Sequence, residues 1–149
     1  MRIVVQRVSS AKVEVDNKIT GQIEKGLLVY VSVTHDDTLK DVKFIAEKIT
    51  NLRIFPDDQN KMNLSLTDIA GQVLLISNFT LHGDCRKGRR PGFDAAAKPD
   101  HANQLYEKVI ELIKEQGVNI QTGIFAENMQ VTSTNDGPVT FILDSSKLF

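Results

Sequence analysis

The sequence predicts an α/β fold: two packed, barrel-like β-sheets covered on one face by two helices, giving β/β/α layers in a single domain over residues 1–149. The chain's 149 residues are 41% hydrophobic and 25% charged, which suits one globular domain with a substantial core. Stretches that alternate like strands form two groups, one towards each end of the chain. Between these groups lie two stretches with helical spacing, separated by another apolar strand.

The N-terminal group contains four predicted strands. We expect paired strands over residues 3–8 and 11–15, joined by two serines, and a short strand over 19–23. Residues 27–33 are apolar on both faces, which is typical of a strand that is covered on both sides. This segment is therefore the predicted central strand.

Two amphipathic helices follow. The first is predicted from about Thr38 to Leu52, where capping residues precede apolar residues at helical spacing. The second is predicted to start at a cap at Asp100 and to end at Gly117, because glycine is favoured just after a helix end. The remaining extended segments are predicted over residues 61–65, 72–79, 121–125, 130–134 and 139–143.

Residues 80–99 show no periodicity, and a loop of this length in a compact domain is usually functional or mobile. The loop carries four cations within five residues, Arg86, Lys87, Arg89 and Arg90. The net charge of the chain is −1, so any nucleic-acid contact must come from such a local patch. Solvated surface and a phosphate-binding patch are about equally supported.

Composition also excludes several classes of protein. The single Cys85 rules out an intrachain disulfide, and no stretch approaches the roughly 20 apolar residues of a membrane span. The N-terminal residues alternate and carry charge, unlike a signal peptide, so we expect a cytoplasmic protein without a membrane partner. His82, Asp84 and Cys85 lie too close together on one loop, without a distant ligand, to favour a metal site. We expect no metal.

Ser77-Asn78-Phe79-Thr80 ends a predicted buried strand, where side chains and backbone N–H groups become accessible. Ser77 or Thr80 could be a nucleophile, or the segment could form an oxyanion hole. Neither hydroxyl has an evident base beside it, and there is no Gly-x-Ser-x-Gly motif. The alternative, that both hydroxyls cap the strand exit, is equally open.

Asn135-Asp136-Gly137-Pro138-Val139-Thr140 joins two strand-like runs. Proline within a sheet is confined to an edge, a bulge or a strand start, which favours a hairpin or bulge here. The other interpretation is a backbone device with exposed carbonyls. If the bond before Pro138 were cis, its two carbonyl oxygens would point nearly the same way and could accept from one small amine.

Together these residues resemble the D-aminoacyl-tRNA deacylase family over essentially the whole chain. The matching motifs are Gln6-Arg7-Val8, Arg53-Ile54-Phe55, Lys61-Met62-Asn63-Leu64, Ser77-Asn78-Phe79-Thr80-Leu81, Arg86-Lys87-Gly88-Arg89-Arg90-Pro91 and Asn135-Asp136-Gly137-Pro138-Val139-Thr140. The resemblance implies a homodimer that hydrolyses the ester between a D-amino acid and tRNA, with active sites at the subunit interface and no cofactor.

The resemblance also implies a mechanism built largely from backbone groups. A cis Gly137-Pro138 pair of one protomer would enter the other protomer's pocket, bind the substrate's α-ammonium and leave no room for an L-side chain. Residues 77–80 would hold the ester carbonyl, with N–H groups near Phe79 and Thr80 as oxyanion donors. The 2′-hydroxyl of the terminal adenosine would assist water, and glycyl-tRNA(Ala) would also be a substrate. Thr80 remains a weaker candidate nucleophile.

The same resemblance assigns substrate-binding roles. Arg7 would brace the Gly137-Pro138 pair, Phe125 would line the adenine pocket with Met62 nearby, and the cations of residues 86–90 would meet acceptor-stem phosphates. From the residues alone, Phe125 is better explained as core.

The chain departs from the family pattern at Asn78, where Gln is usual, at Gly92, where Ser is common, and at His82-Gly83. The alternatives are a non-catalytic tRNA-binding module, an esterase for small substrates using Thr80 or Cys85, and a relative that edits L-alanyl-tRNA with a trans Gly-Pro bond.

Overall fold

The computed structural model describes residues 1–148. Its main sheet contains β1 (Arg2–Val15), β2 (Lys18–Ile23), β3 (Gly26–Ser32), β6 (Gln72–Ser77), β7 (Asn119–Thr122) and β8 (Gln130–Asp144). A small sheet pairs β4 (Phe55–Pro56) with β5 (Met62–Leu64), and the helices are α1 (Leu39–Asn51) and α2 (Pro99–Glu115).

The main sheet has the strand order β2-β1-β3-β6-β7, with β8 pairing antiparallel along β1. β3, β6 and β7 run parallel, and the chain connects them through α1 and α2. A side chain at Gly21 of β2 would lie 2.6 Å from the carbonyl oxygen of Thr122 in β7. The two ends of the sheet therefore approach closely, and the predicted barrel-like arrangement with two helices is confirmed.

Buried side chains fill two clusters on opposite sides of the sheet. The larger lies between the sheet and the helices and includes Ile3, Val29, Val42, Ile45, Val73, Leu75, Val109 and Ile113. The smaller fills the barrel and consists of Val8, Ala11, Val13, Ile23, Leu28, Leu74 and Ile76. The predicted central strand is correct, since β3 lies between β1 and β6 and is buried almost throughout.

The prediction of two paired N-terminal strands is wrong. Residues 2–15 form one strand, whose pairing register with β8 shifts on each side of Val8. Because each shift changes the phase of the alternation, the two halves resemble separate strands in the sequence. The two predicted C-terminal strands are likewise one strand, β8.

The prediction for the first helix is confirmed, including its cap. The Thr38 side chain accepts from the N–H of Lys40, and Asp41 binds the N–H of Thr38 in return. The predicted cap of the second helix at Asp100 is wrong. The helix begins at Pro99 after Lys98, without a side-chain cap, because proline's fixed φ and missing N–H suit a first helical position.

Three smaller segments also differ from prediction. Residues 55–56, for which no strand was predicted, pair with β5, and β7 covers residues 119–122 rather than 121–125. The aperiodic segment 80–99 starts within a short 3-10 helix, Phe79–His82, and is held by isolated bridges between Asp84 and Gly92 and between Thr34 and Ala96.

Candidate active site

A cavity of about 460 Å³ opens at the carboxyl ends of β3 and β6. Ser32, Ser77, Asn78 and Phe79 form its strand-end wall. The remaining lining is mostly apolar and includes Phe93, Ala96, Ala97, Ala102 and Phe125. Three predicted catalytic residues therefore share one cavity with Phe125, whereas sequence reasoning missed Ser32 and the alanines. Small side chains carry no local chemical signal by which they could have been found.

The backbone turns sharply where β6 ends. Asn78 N–H donates to the carbonyl of Val31 over 2.8 Å, and Asn78 Oδ1 accepts from both the N–H of Thr80 (3.2 Å) and its hydroxyl (2.6 Å). Asparagine suits this turn because its short side chain reaches the backbone two residues ahead. The N–H of Thr80 is therefore occupied. The N–H of Phe79 opens the 3-10 helix and has no partner among residues 1–148.

Aromatic side chains frame the cavity. The ring of Phe79 is 56% exposed and meets Phe93 edge-on, with the ring centroids 5.0 Å apart. Phe125 packs against Tyr106 at 5.9 Å and is partly buried. Tyr106 donates its hydroxyl to the carbonyl of Leu75, and burial raises the pKa of this phenol. These apolar walls can cover a substrate's reacting end from water.

Residues 135–140 form a bulge in β8. Asn135 pairs with Val8 and Thr140 pairs with Gln6, so the four residues 136–139 lie opposite the single residue Arg7. The bond between Gly137 and Pro138 is cis, and both residues are exposed in the single chain. A bulge, rather than a hairpin, therefore carries this motif.

Arg7 lies directly beneath this bulge. Its guanidinium donates to the carbonyl of Ile54 over 2.7 Å, and its Nε lies 3.0 Å from a carboxylate oxygen of Asp136, although that N–H does not point at the oxygen. A side chain at Gly137 would lie 3.2 Å from this guanidinium. Arg7 thus connects the bulge to the segment that follows α1.

Comparisons with known proteins agree with this geometry. A sequence profile of the family described as D-Tyr-tRNA(Tyr) deacylase matches residues 4–144. The chain belongs to this family. The proteins named D-aminoacyl-tRNA deacylase from Clostridioides difficile (strain 630) and Fervidobacterium nodosum are 61% and 59% identical to it, each over the full length of both chains. Family membership makes the chain a hydrolase acting on an ester bond.

A solved structure in the same comparison carries a different title. It is described as the c-Myc DNA unwinding element binding protein and superposes with a TM-score of 0.91 at 34% identity, covering 97% of this chain and 98% of that one. Its fold matches that of the deacylase-family chain almost throughout.

Residues 86–90 form the basic loop of this deacylase-family chain. Three of its cations line a second cleft, together with Arg2, His82 and Leu148: Arg86, Lys87 and Arg90. Arg86 is paired within the loop, since its Nε and Nη2 lie 2.8 and 2.7 Å from the two carboxylate oxygens of Asp84. This pairing lowers the pKa of Asp84 and raises that of Arg86. Lys87, Arg89 and Arg90 are exposed and form no ion pair among the described residues.

Several predicted site residues lie outside the cavity of their own chain. Gly137, Pro138, Arg7 and Thr80 do not line it, and Met62 lies exposed on β5. Residues 1–148 contain no cluster of His, Cys, Asp and Glu suited to a metal ion, and Cys85 is exposed. Neither helix in this part of the chain is long and apolar enough to cross a membrane.

Proposed function

We propose that this chain removes D-amino acids from tRNA by hydrolysing the ester of D-aminoacyl-tRNA, without a cofactor. The observation that carries the proposal is the cavity at the ends of β3 and β6, where the unpartnered N–H of Phe79 stands beside small and apolar side chains. Family membership supplies the substrate class. Aminoacyl-tRNA is used in translation, which takes place in the cytoplasm, so we also propose a cytoplasmic location.

The second part of the proposal is that the site is completed by a partner subunit. Among the described residues that line the cavity of one chain, Glu127 is the only carboxylate that could pair with an α-ammonium, whereas the exposed Gly137-Pro138 bulge lies outside this cavity. In a two-fold dimer the same patch serves both subunits, so each bulge would enter the other's cavity. The carbonyl oxygens of the bulge would accept from the substrate's ammonium.

The surface of β8 supports such a dimer. Phe141 and Ile142 on this strand are 39% and 58% exposed. An edge strand with exposed apolar residues near its C-terminal end invites association with another chain. Because these residues directly follow the bulge, a contact between two copies here would bring each bulge near its partner.

We propose that selectivity arises by exclusion. With the ammonium fixed by the bulge, an L-side chain would collide with the cavity wall, while a D-side chain or the hydrogen of glycine would point outwards. Glycyl-tRNA(Ala) is therefore a second expected substrate. Water attacks the ester carbonyl, the Phe79 N–H stabilises the oxyanion, and the C–O bond to the ribose breaks, with the 3′-oxygen taking up a proton. The neighbouring 2′-hydroxyl would orient the water.

The test is to incubate the purified protein with D-tyrosyl-tRNA and L-tyrosyl-tRNA at equal concentrations, and separately with L-alanyl-tRNA, and to measure amino-acid release. Rapid release of D-tyrosine with little release of L-tyrosine is expected. Equal rates on both, or preferential cleavage of L-alanyl-tRNA, would reject the proposal.

A second candidate is a non-catalytic tRNA-binding module that uses the basic loop. The observation that favours it is the exposure of Lys87, Arg89 and Arg90. It predicts tRNA binding that weakens with salt and no ester cleavage under any condition.

A further inference from the structure

A buried polar pair lies directly behind the strand-end wall of the cavity. His82 is 8% exposed and Ser32 is 2% exposed, and His82 Nδ1 lies 2.6 Å from Ser32 Oγ. Ser32 is the last residue of β3 and lines the cavity, and His82 is the last residue of the 3-10 helix. No step of the proposed hydrolysis uses either side chain.

The pair continues to the backbone of Phe79. Ser32 Oγ donates to the carbonyl oxygen of Phe79 over 3.3 Å. A hydroxyl has one proton, so while Ser32 donates to this carbonyl its oxygen must accept from His82. This arrangement places the imidazole proton on Nδ1.

The carbonyl of Phe79 and the N–H of Thr80 belong to one planar peptide unit. That unit is held at both ends, by Ser32 Oγ at its oxygen and by Asn78 Oδ1 at its nitrogen. The preceding residue is fixed as well, because Asn78 N–H donates to Val31. The unpartnered N–H of Phe79 lies between these two fixed points, so its direction depends on both.

We propose that Ser32, held by His82, is a positioning residue that aims the N–H of Phe79 at the reacting carbonyl. This inference rests on the proposed function and identifies what fixes its oxyanion donor. An oxyanion donor acts only when it is aimed at the position that the charge will occupy. A small rotation of the peptide between Asn78 and Phe79, which carries this N–H, therefore reduces the rate.

The electrostatic setting agrees with this role. Burial, followed by the positive charges of Arg2 and the Met1 ammonium, lowers the pKa of His82, against the opposing carboxylates of Asp144 and Asp37. The imidazole is therefore neutral at pH 7 and carries one ring proton. That proton is the one on Nδ1, so Nε2 is unprotonated.

The test compares Ser32→Ala, His82→Leu and His82→Asn with the wild-type protein. Ser32→Ala and His82→Leu should lower kcat for D-tyrosyl-tRNA about tenfold or more, with KM changed less than twofold, because both side chains are buried and neither is a cation that would bind phosphate. His82→Asn keeps an N–H donor near Nδ1 and should recover most of the lost rate. Thr50→Val, which removes another fully buried hydroxyl far from the cavity, should leave kcat unchanged.

A second readout does not depend on activity. In Ser32→Ala, the backbone amide resonances of Phe79 and Thr80 should shift in ¹H–¹⁵N spectra while the thermal midpoint stays within a few degrees. If kcat stays within twofold of wild type, or if these amides do not move, the positioning role is rejected. If the wild-type protein itself releases no D-tyrosine, the proposed function fails, whereas the amide shifts still test whether Ser32 orients this peptide.

Discussion

The side-chain amide of Asn135 donates to the carbonyl of Arg7 over 2.9 Å and to that of Val139 over 3.1 Å. One asparagine therefore joins the strand beneath the bulge to the residue where the bulge ends. Val139 is itself buried, so the exposed Gly137 and Pro138 project from a fixed base. The shape of the bulge is thus set by side-chain contacts as well as by its own backbone.

Asn135→Asp should weaken this base. The substitution keeps the shape of the side chain but replaces two donors by a carboxylate facing two carbonyl oxygens. We expect a loss of about 1–3 kcal/mol in the free energy of unfolding, the usual consequence of leaving buried acceptors unsatisfied, together with reduced deacylation. Urea denaturation measures the first effect. Asn128→Asp, at an exposed position, is the control and should change neither quantity.

Gly137→Ala should abolish most activity. Gly137 has φ of 125°, and an added Cβ would lie 2.7 Å from the Val139 side chain. Gly117 offers a matched control, because it also has positive φ (76°) but nothing lies within 4 Å of its Cβ position. Both variants should lose about 1–3 kcal/mol of stability through backbone strain, but only Gly137→Ala should lower kcat/KM by more than tenfold. Equal activity in the two variants would contradict a role for the bulge in the site.

The basic loop should show a difference between its cations. Replacing Lys87, Arg89 or Arg90 by Gln should weaken tRNA binding and reduce the slope of log K against log salt by up to about 1 for each lost phosphate contact. Arg86→Gln should act less on this slope, because its guanidinium already pairs with Asp84. Filter-binding titrations at several salt concentrations measure the slopes. Identical slopes for all four variants would argue against this division of roles.

Stability should fall on mild acidification, partly through His82. The pKa of His82 is lowered in the folded chain from its ordinary value of 6.5, so below about pH 6.5 the unfolded chain binds more protons than the folded one. This contribution is fully present above pH 6.5 and is lost as pH falls towards the folded-state pKa. His82→Asn should therefore show a flatter dependence of the urea midpoint between pH 7.5 and 5.5 than wild type. Parallel curves would show that His82 does not titrate in this way.

Local sequence signals predicted elements whose causes are local. The Thr38 cap and the apolar spacing behind it specify α1, and the continuous apolar run before Ser32 specifies a strand buried on both faces. The single long β1 escaped prediction because the register shifts around Val8 interrupt its alternation. A bulge is visible only once the partner strand is known.

The candidate site was predictable only where its residues carry a local sequence signal. The motif containing Asn78 and Phe79 could be found because it ends a buried strand. The pairing of Ser32 with His82 spans 50 residues and depends on how β3 and the 3-10 helix meet. The short side chain of Asn78, a departure from the family pattern, proves to cap the 3-10 helix by binding the N–H of Thr80.

The central claim is that each active site combines the cavity of one subunit with the Gly137-Pro138 bulge of the other. Mixing two inactive variants tests it most directly. Gly137→Ala damages the bulge, and Ala96→Trp places an indole in the cavity, so each homodimer should be inactive. After unfolding and refolding together in equal amounts, half of the dimers should be mixed, and each mixed dimer should contain one intact site. The account predicts recovery of about a quarter of the wild-type activity on D-tyrosyl-tRNA; no recovery, with mixed dimers shown to be present by mass spectrometry, would contradict it.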